Sequence, residues 1–248
     1  MQMKKPVAIG LVVPFAADRV PDEGPIMYPD VRFVPRGVGV RSLTPAGYDA
    51  AVDGIVPAAE YLAAQGVDAI MVIGTSLTFY RGYEFHERLL EKLRAATGLL
   101  VSTMSAAVVD GLRAMAARRV AVSTAYADEV NDRLRDFLVA SGFEVLALEG
   151  FGLFGFGEPG SKSEADIIDL SAKACNAAPG AEGLLISCGG LRTLGVAKPL
   201  EERFGIPVVA STQAAFWSAM RLAGRSGHIA GCGRLLEVHE GTAISLAG

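Results

Sequence analysis

Two segments, VDAIMVIGTS (Val67–Ser76) and AEGLLISCGG (Ala181–Gly190), align with each other without a gap, and the alignment sets Gly74 on Cys188. Each is an apolar run that ends in a turn of small residues. Upstream, PVAIGLVV (Pro6–Val13) resembles RVAVSTAY (Arg119–Tyr126); downstream, VSTMSAA (Val101–Ala107) resembles VASTQAA (Val209–Ala215). Three matches in the same order point to an internal duplication. Each half reads as strand, helix, strand with a special turn, helix, strand with a Ser-Thr turn, helix.

Short β-branched runs mark strands at Val7–Val13, Ala69–Ile73, Leu99–Thr103, Val120–Ser123, Glu144–Leu148, Gly183–Ser187 and Pro207–Ala210. Helical patterns lie between them, which predicts an α/β fold with mainly parallel sheets. Thr44-Pro45 opens one helix, and Pro57 inside that stretch is expected to kink or split it. Further helices are expected at Tyr83–Thr97, Ser105–Ala117, Ala127–Ser141, Ser163–Ala177, Thr193–Phe204 and Thr212–Leu222, with Ser163 and Asp166 reading as a helix start. The duplication predicts two similar lobes related by an approximate two-fold, residues 1–118 and 119–222. The chain is expected to cross back near its C-terminus, and residues 223–248 form a tail without a clear element. In open parallel sheets ligands bind beyond the carboxyl ends of the strands. A cleft between the lobes would thus be flanked by Gly74-Thr75-Ser76 on one side and Cys188-Gly189-Gly190 on the other.

Composition narrows the class. Of 248 residues, 51% are hydrophobic and 20% charged, enough for a sizeable core, and the net charge of −4 offers no basic face for nucleic acid. Lys4 and Lys5 ahead of VAIGLVV have the outline of a short secretory leader, but the recurrence of this pattern at Arg119–Tyr126 favours a buried first strand. No apolar run approaches the ~20 residues of a membrane helix. A soluble, cytoplasmic protein without membrane partners is expected, either a monomer or a small homo-oligomer. The three cysteines form no C-x-x-C pair, and His86, His228 and His239 lack zinc-ligand spacing, so no metal is expected.

Cys188 ends an apolar strand and precedes two glycines and an expected helix. A free cysteine is commonly a small buried hydrophobe, but a strand-to-helix turn is a place for chemistry. Gly189 and Gly190 let backbone N–H groups approach a carboxylate or a developing oxyanion. A helix N-terminus would lower the thiol pKa and burial would raise it; a proton donor needs the thiol, a nucleophile the thiolate. Thr75 and Ser76 read as turn caps or as ligand donors. Tyr126 reads equally as a packing residue or as a phenol turned into the cleft. His86 reads as a helix-surface residue. Nucleotide-binding glycine motifs and a G-x-S-x-G elbow are missing.

MVIGTSLTFYRG (Met71–Gly82), TAYADEVNDRL (Thr124–Leu134), LLISCGGLRTL (Leu184–Leu194) and LTPAGYDA (Leu43–Ala50) resemble the arylmalonate decarboxylase branch of the aspartate/glutamate racemase superfamily. The resemblance implies a carboxy-lyase that needs no cofactor and takes a small dicarboxylate. One carboxylate would sit in a dioxyanion hole formed by Thr75, Ser76, Tyr126 and backbone N–H groups at Thr75, Gly189 and Gly190. The other would face an apolar pocket of Pro14, Val40, Leu43, Tyr48, Ile73 and Gly74, and leave as carbon dioxide. Cys188 would protonate the enediolate. Racemases of this superfamily use two cysteines; here the second position is Gly74, which suits a one-sided protonation. Phe151–Gly160, FGLFGFGEPG, departs from the family pattern; Phe156 and Pro159 there either line the aryl pocket or belong to a lid. The competing expectations are an isomerase or racemase of a small carboxylic acid, and a small-molecule binding protein on the same fold.

Overall fold

The computed structural model describes residues 6–237. Lys4, Lys5, His239 and residues 238–248 of the expected tail lie outside that range. Two four-stranded parallel sheets form the framework. The first, in the order β2-β1-β3-β4, is built from β1 (Ala8–Val13), β2 (Arg32–Gly37), β3 (Ala69–Val72) and β4 (Leu100–Thr103). The second, in the order β6-β5-β7-β8, is built from β5 (Arg119–Tyr126), β6 (Glu144–Leu153), β7 (Gly183–Ser187) and β8 (Val208–Ala210). The two orders are the same, so the sequence repeat is a repeat of topology, as the α/β two-lobe expectation requires. β1, β3 and β7 are buried along their whole length and therefore read as unbroken apolar runs. β2 escaped the sequence reading. Its RFVPRG is a half-exposed edge, where Pro35 can forgo a ladder donor.

The helices are α1 (Glu23–Met27), α2 (Pro45–Val52), α3 (Ile55–Ala64), α4 (Thr75–Phe79), α5 (Tyr83–Thr97), α6 (Met104–Ala114), α7 (Asp128–Ala140), α8 (Glu164–Ala177), α9 (Ala197–Phe204) and α10 (Ser211–Leu222). The stretch opened by Thr44 divides at Asp53–Gly54, a few residues before Pro57. The proline sits in the first turn of α3, where its missing N–H is an orphan anyway. Ser163 and Asp166 form a full capping box on α8. The helix expected from Thr193 starts only at Ala197, and α1 and α4 are additional. A one-turn 3-10 helix, Arg234–Glu237, occupies part of the expected tail.

Several contacts join the lobes. α6 and α10 pack on each other, and each touches strands of both sheets. β6 runs to Leu153, beyond its expected end, and its continuation reaches the other lobe: Leu43 N–H donates to the Phe154 carbonyl at 2.8 Å, and Ser42 bridges Gly155. α1 lies against α10, where a Cβ on Gly24 would sit 2.4 Å from Cζ of Phe216. Phe216 is fully buried and meets the Phe33 ring edge-on at 5.2 Å. Among the described residues no helix is long and apolar enough to cross a membrane.

Gly24→Ala should therefore overpack this contact and lower stability by about 1–3 kcal/mol in denaturant unfolding. Unchanged stability would show that the Phe216 ring has room to yield.

Candidate active site

The carboxyl ends of β1, β3, β5 and β7 converge on a cavity of ≈ 210 Å³ between the lobes. The first lobe supplies Pro14, Val40, Leu43, Tyr48 and Ile73, together with the turn Gly74, Thr75 and Ser76. The second supplies Tyr126, Phe156, Cys188, Gly189 and Gly190. Pro159 is not at the cavity wall; it abuts Gly190, where a Cβ would lie 3.1 Å from the proline Cβ. His86 is buried away from the cavity, not on the surface as its helix pattern suggests. Its Nε2 is 2.7 Å from Oγ1 of Thr103 and its Nδ1 is 3.1 Å from Oε1 of Glu87.

Cys188 follows the last residue of β7 with a φ of 152°, a backbone region that side chains other than glycine's rarely adopt. Such a conformation costs on the order of 1–3 kcal/mol and persists only where its surroundings enforce it. No helix stands directly behind it: residues 188–196 form no helix or strand, and α9 begins at Ala197. The helix N-terminus that the sequence suggested is thus displaced, and burial decides the ionisation. Burial pushes the thiol up to about 11, opposed by the Gly190 N–H, which reaches Sγ at 3.4 Å, by the Tyr126 hydroxyl and by the Leu191 N–H. At neutral pH the sulfur carries its proton.

Hydroxyl groups line the same cavity as this thiol. Thr75 Oγ1 and the Tyr48 hydroxyl are both buried without a hydrogen-bond partner. An orphaned buried hydroxyl costs roughly 1–3 kcal/mol, so both are suited to a ligand that satisfies them. Burial raises the pKa values of Tyr48 and Tyr126, so both are phenols rather than phenolates. Ser76 holds both rises back, although it falls short of hydrogen-bond geometry at the Tyr48 hydroxyl. The turn is anchored from behind: Ser105 Oγ donates to the Thr75 carbonyl at 2.9 Å, and Thr78 Oγ1 donates to the Gly74 carbonyl at 3.3 Å. Tyr126 is fixed in turn by Asn131, whose Nδ2 donates to its carbonyl at 3.0 Å. Gly150 must be glycine here, because a Cβ would sit 2.5 Å from that carbonyl.

The cavity also involves residues that the sequence reading did not single out. Phe15 meets Phe156 edge-on at 5.9 Å and is capped by the Arg19 guanidinium at 4.7 Å from its ring centroid. Arg192 and Glu23 line it as well. Glu23 sits on α1, a five-residue helix too short to leave a periodic signal. Arg81, without a role in the sequence reading, pairs with Asp49, to which Tyr80 also donates. Tyr80 packs on Tyr48 with ring centroids 5.1 Å apart.

Comparison with known proteins bears on this arrangement. A sequence profile of the family described as arylmalonate decarboxylase matches residues 9–236. Arylmalonate decarboxylase of Bordetella bronchiseptica is 44% identical over 238 residues, covering 96% of this chain and 99% of that protein. The liganded crystal structure of a glycine-to-cysteine, cysteine-to-serine double mutant of arylmalonate decarboxylase superposes with a TM-score of 0.91 at 43% identity, over 93% of this chain and 99% of that one. Maleate isomerase from Pseudomonas putida, with maleate, has a TM-score of 0.87 at 19% identity over 94% of this chain and 98% of its own, and shares the fold.

The raised thiol pKa has a direct readout. With a value of about 11, only about one Cys188 in a thousand is thiolate at pH 8. Alkylation of Cys188 by iodoacetamide, followed by peptide mass, should be slow at pH 8 and keep accelerating past pH 10. A plateau near pH 8.5 would mean that burial does not control the group.

Proposed function

The chain belongs to the arylmalonate decarboxylase family, and from that premise we propose that it decarboxylates a disubstituted, aryl-bearing malonate without a cofactor, protonating the product carbanion through Cys188. The observation that carries this reading is a buried, protonated thiol at the end of β7 whose counterpart after β3 is Gly74. One face of the cleft carries a thiol, and the equivalent position on the other carries no side chain. A two-acid racemase needs a donor on each face.

In this reading one substrate carboxylate is held by the hydroxyls of Thr75, Ser76 and Tyr126 and by backbone N–H groups at Thr75, Gly189 and Gly190. The second carboxylate lies against Pro14, Val40, Leu43, Tyr48 and Ile73, with little solvation, and departs as carbon dioxide. The electron pair of the broken C–C bond passes into the retained carboxylate, giving an enediolate whose second negative charge falls where the donors are already placed. The loss of one such donor costs about 2.7–4 kcal/mol of barrier. The S–H of Cys188 then gives its proton to the α-carbon from one side. The thiolate formed accepts from the Gly190 N–H and recovers its proton from solvent. Phe156 and Phe15 bound the space for the aryl group. The same reading takes no metal, nucleic acid or membrane partner and places the protein in the cytoplasm as a monomer or small homo-oligomer. The net charge of −4 offers no basic face for nucleic acid, which supports that part of the reading.

The test is chiral analysis of the product from α-methyl-α-phenylmalonate. We expect carbon dioxide release with a single enantiomer of 2-phenylpropionate, reduced about 10²–10⁴-fold in Cys188→Ala, the range for loss of a general acid. Thr75→Val should lower kcat by about 10²–10³-fold. No turnover by the parent would move the assignment to a non-aryl acid, and full turnover by Cys188→Ala would remove the cysteine from the mechanism.

A further inference from the structure

Glu23 is a buried carboxylate in the cavity wall that the proposed chemistry does not use. It belongs to α1 of the first lobe, yet its hydrogen bonds go to the loop that follows Cys188 in the second. Its Oε1 accepts the N–H of Thr193 at 2.6 Å and that of Leu194 at 3.2 Å, and its Oε2 accepts the Thr193 hydroxyl at 3.4 Å. From the other side, Gln213 Nε2 donates to the Thr193 carbonyl at 3.2 Å, and Thr212 Oγ1 to the Gly189 carbonyl at 3.5 Å. Residues 188–196 have no helix or strand of their own. Their shape rests on these side chains and on two backbone turns, Leu191 N–H to the Cys188 carbonyl and Val196 N–H to the Thr193 carbonyl, and at their head stands Cys188 in a backbone conformation that relaxes unless it is held.

The base of the clamp is rigid. Gly24 lies directly against Phe216, and the Tyr28 hydroxyl donates to the Gly227 carbonyl at 2.7 Å. Both carboxylate oxygens of Glu23 are turned to the loop; burial raises its pKa, and the Thr193 and Leu194 donors hold that rise back. We propose that Glu23 is a positioning residue that grips the Thr193–Leu194 peptides from the opposite lobe and so holds the Cys188 loop in the geometry from which the thiol reaches the substrate carbon. The kinetic form of this inference rests on the decarboxylase reading; the chemical form does not.

Two readouts keep them apart: alkylation of Cys188 by iodoacetamide at pH 8, followed by peptide mass with Cys175 as internal control, and steady-state turnover of α-methyl-α-phenylmalonate. Glu23→Ala should raise the Cys188 alkylation rate about tenfold as the loop opens and exposes the sulfur, with Cys175 unchanged. In turnover it should lower kcat about 100-fold, the loss that a misplacement of about 1 Å produces, while KM stays near the parent value. Glu23→Gln keeps an oxygen for the two N–H donors and should remain close to the parent in both. If Glu23→Ala does not fold, Glu23→Asp, which draws the carboxylate back by one methylene, carries the same expectations as Glu23→Ala. Parent-like alkylation and kcat in the Ala or Asp variant would overturn the proposal. So would a Glu23→Gln variant as impaired as Glu23→Ala, or a raised KM with kcat intact. If the parent itself does not turn the malonate over, the alkylation arm alone decides.

Discussion

A sulfur atom kept out of water is the constraint on which the site depends. β7 delivers Cys188 at the end of an entirely buried strand, and burial holds the thiol in its neutral form. A helix N-terminus at the same spot would have favoured thiolate and a nucleophile. The nine residues between Ser187 and α9, which form no helix or strand, remove that influence. Burial that favours the proton also penalises the thiolate left after transfer, and the site answers this locally. The Gly190 N–H and the Tyr126 hydroxyl both favour the anion, so the sulfur can release its proton and take it back.

The duplication explains how one cleft acquired two unlike walls. The carboxyl ends of β3 and β7 occupy equivalent places in two sheets of the same order. One is followed by Cys188 and two glycines, the other by Gly74 and two hydroxyl residues. Gly74 has a φ of 116°, so a side chain there would be strained as well as crowded by Leu77. The division of labour is chemical. In the proposed reading the first lobe brings hydroxyls, two of them orphaned at Thr75 and Tyr48, and the second brings the Tyr126 hydroxyl and the proton. Orphaned donors are unfavourable in the empty protein, and a bound carboxylate would recover that free energy at Thr75, where in the proposed reading charge develops.

Much of this was legible in the sequence because central parallel strands are buried on both faces and so cannot hide. β1, β3 and β7 stand out as apolar runs, and the pairing of Gly74 with Cys188 comes from the repeat alone. Ser163 and Asp166 announced α8 because a capping box is local chemistry. What stayed illegible was short or depended on distant partners. β2 is an edge strand with a proline, and α1 is a single turn with no period. β2 finds its partner in β1, and the residues of α1 acquire meaning from contacts 170 to 192 positions away, as Glu23 with Thr193 and Gly24 with Phe216 show. His86 read as a surface residue because its burial depends on Thr103 and the Phe137 ring. Pro159, offered as pocket lining or as part of a lid, lies against Gly190, while Phe156 reaches the cavity wall.

These long-range contacts also bear on whether the cleft must close to work. The lobes meet along the α6–α10 seam, across the Leu43–Phe154 hydrogen bond, at Glu23 and Thr193, and where Arg133 Nη1 donates to the Tyr80 carbonyl at 3.2 Å. Contacts on several sides of one cavity resist a hinge, because opening about any one of them breaks the others. Such a frame suits a reaction in which charge shifts within the substrate and no second molecule has to enter. Donors fixed before the bond breaks need no reorganisation when the enediolate appears, and preorganisation of this kind is usually the largest single contribution to catalysis. By the same logic one enantiomer should follow from rigidity rather than from a second catalytic group. In the proposed reading an aryl group confined by Phe15 and Phe156 and a carboxylate confined by the Thr75–Ser76 turn would present a single face of the α-carbon to Cys188, the only thiol among the described residues of the cavity wall.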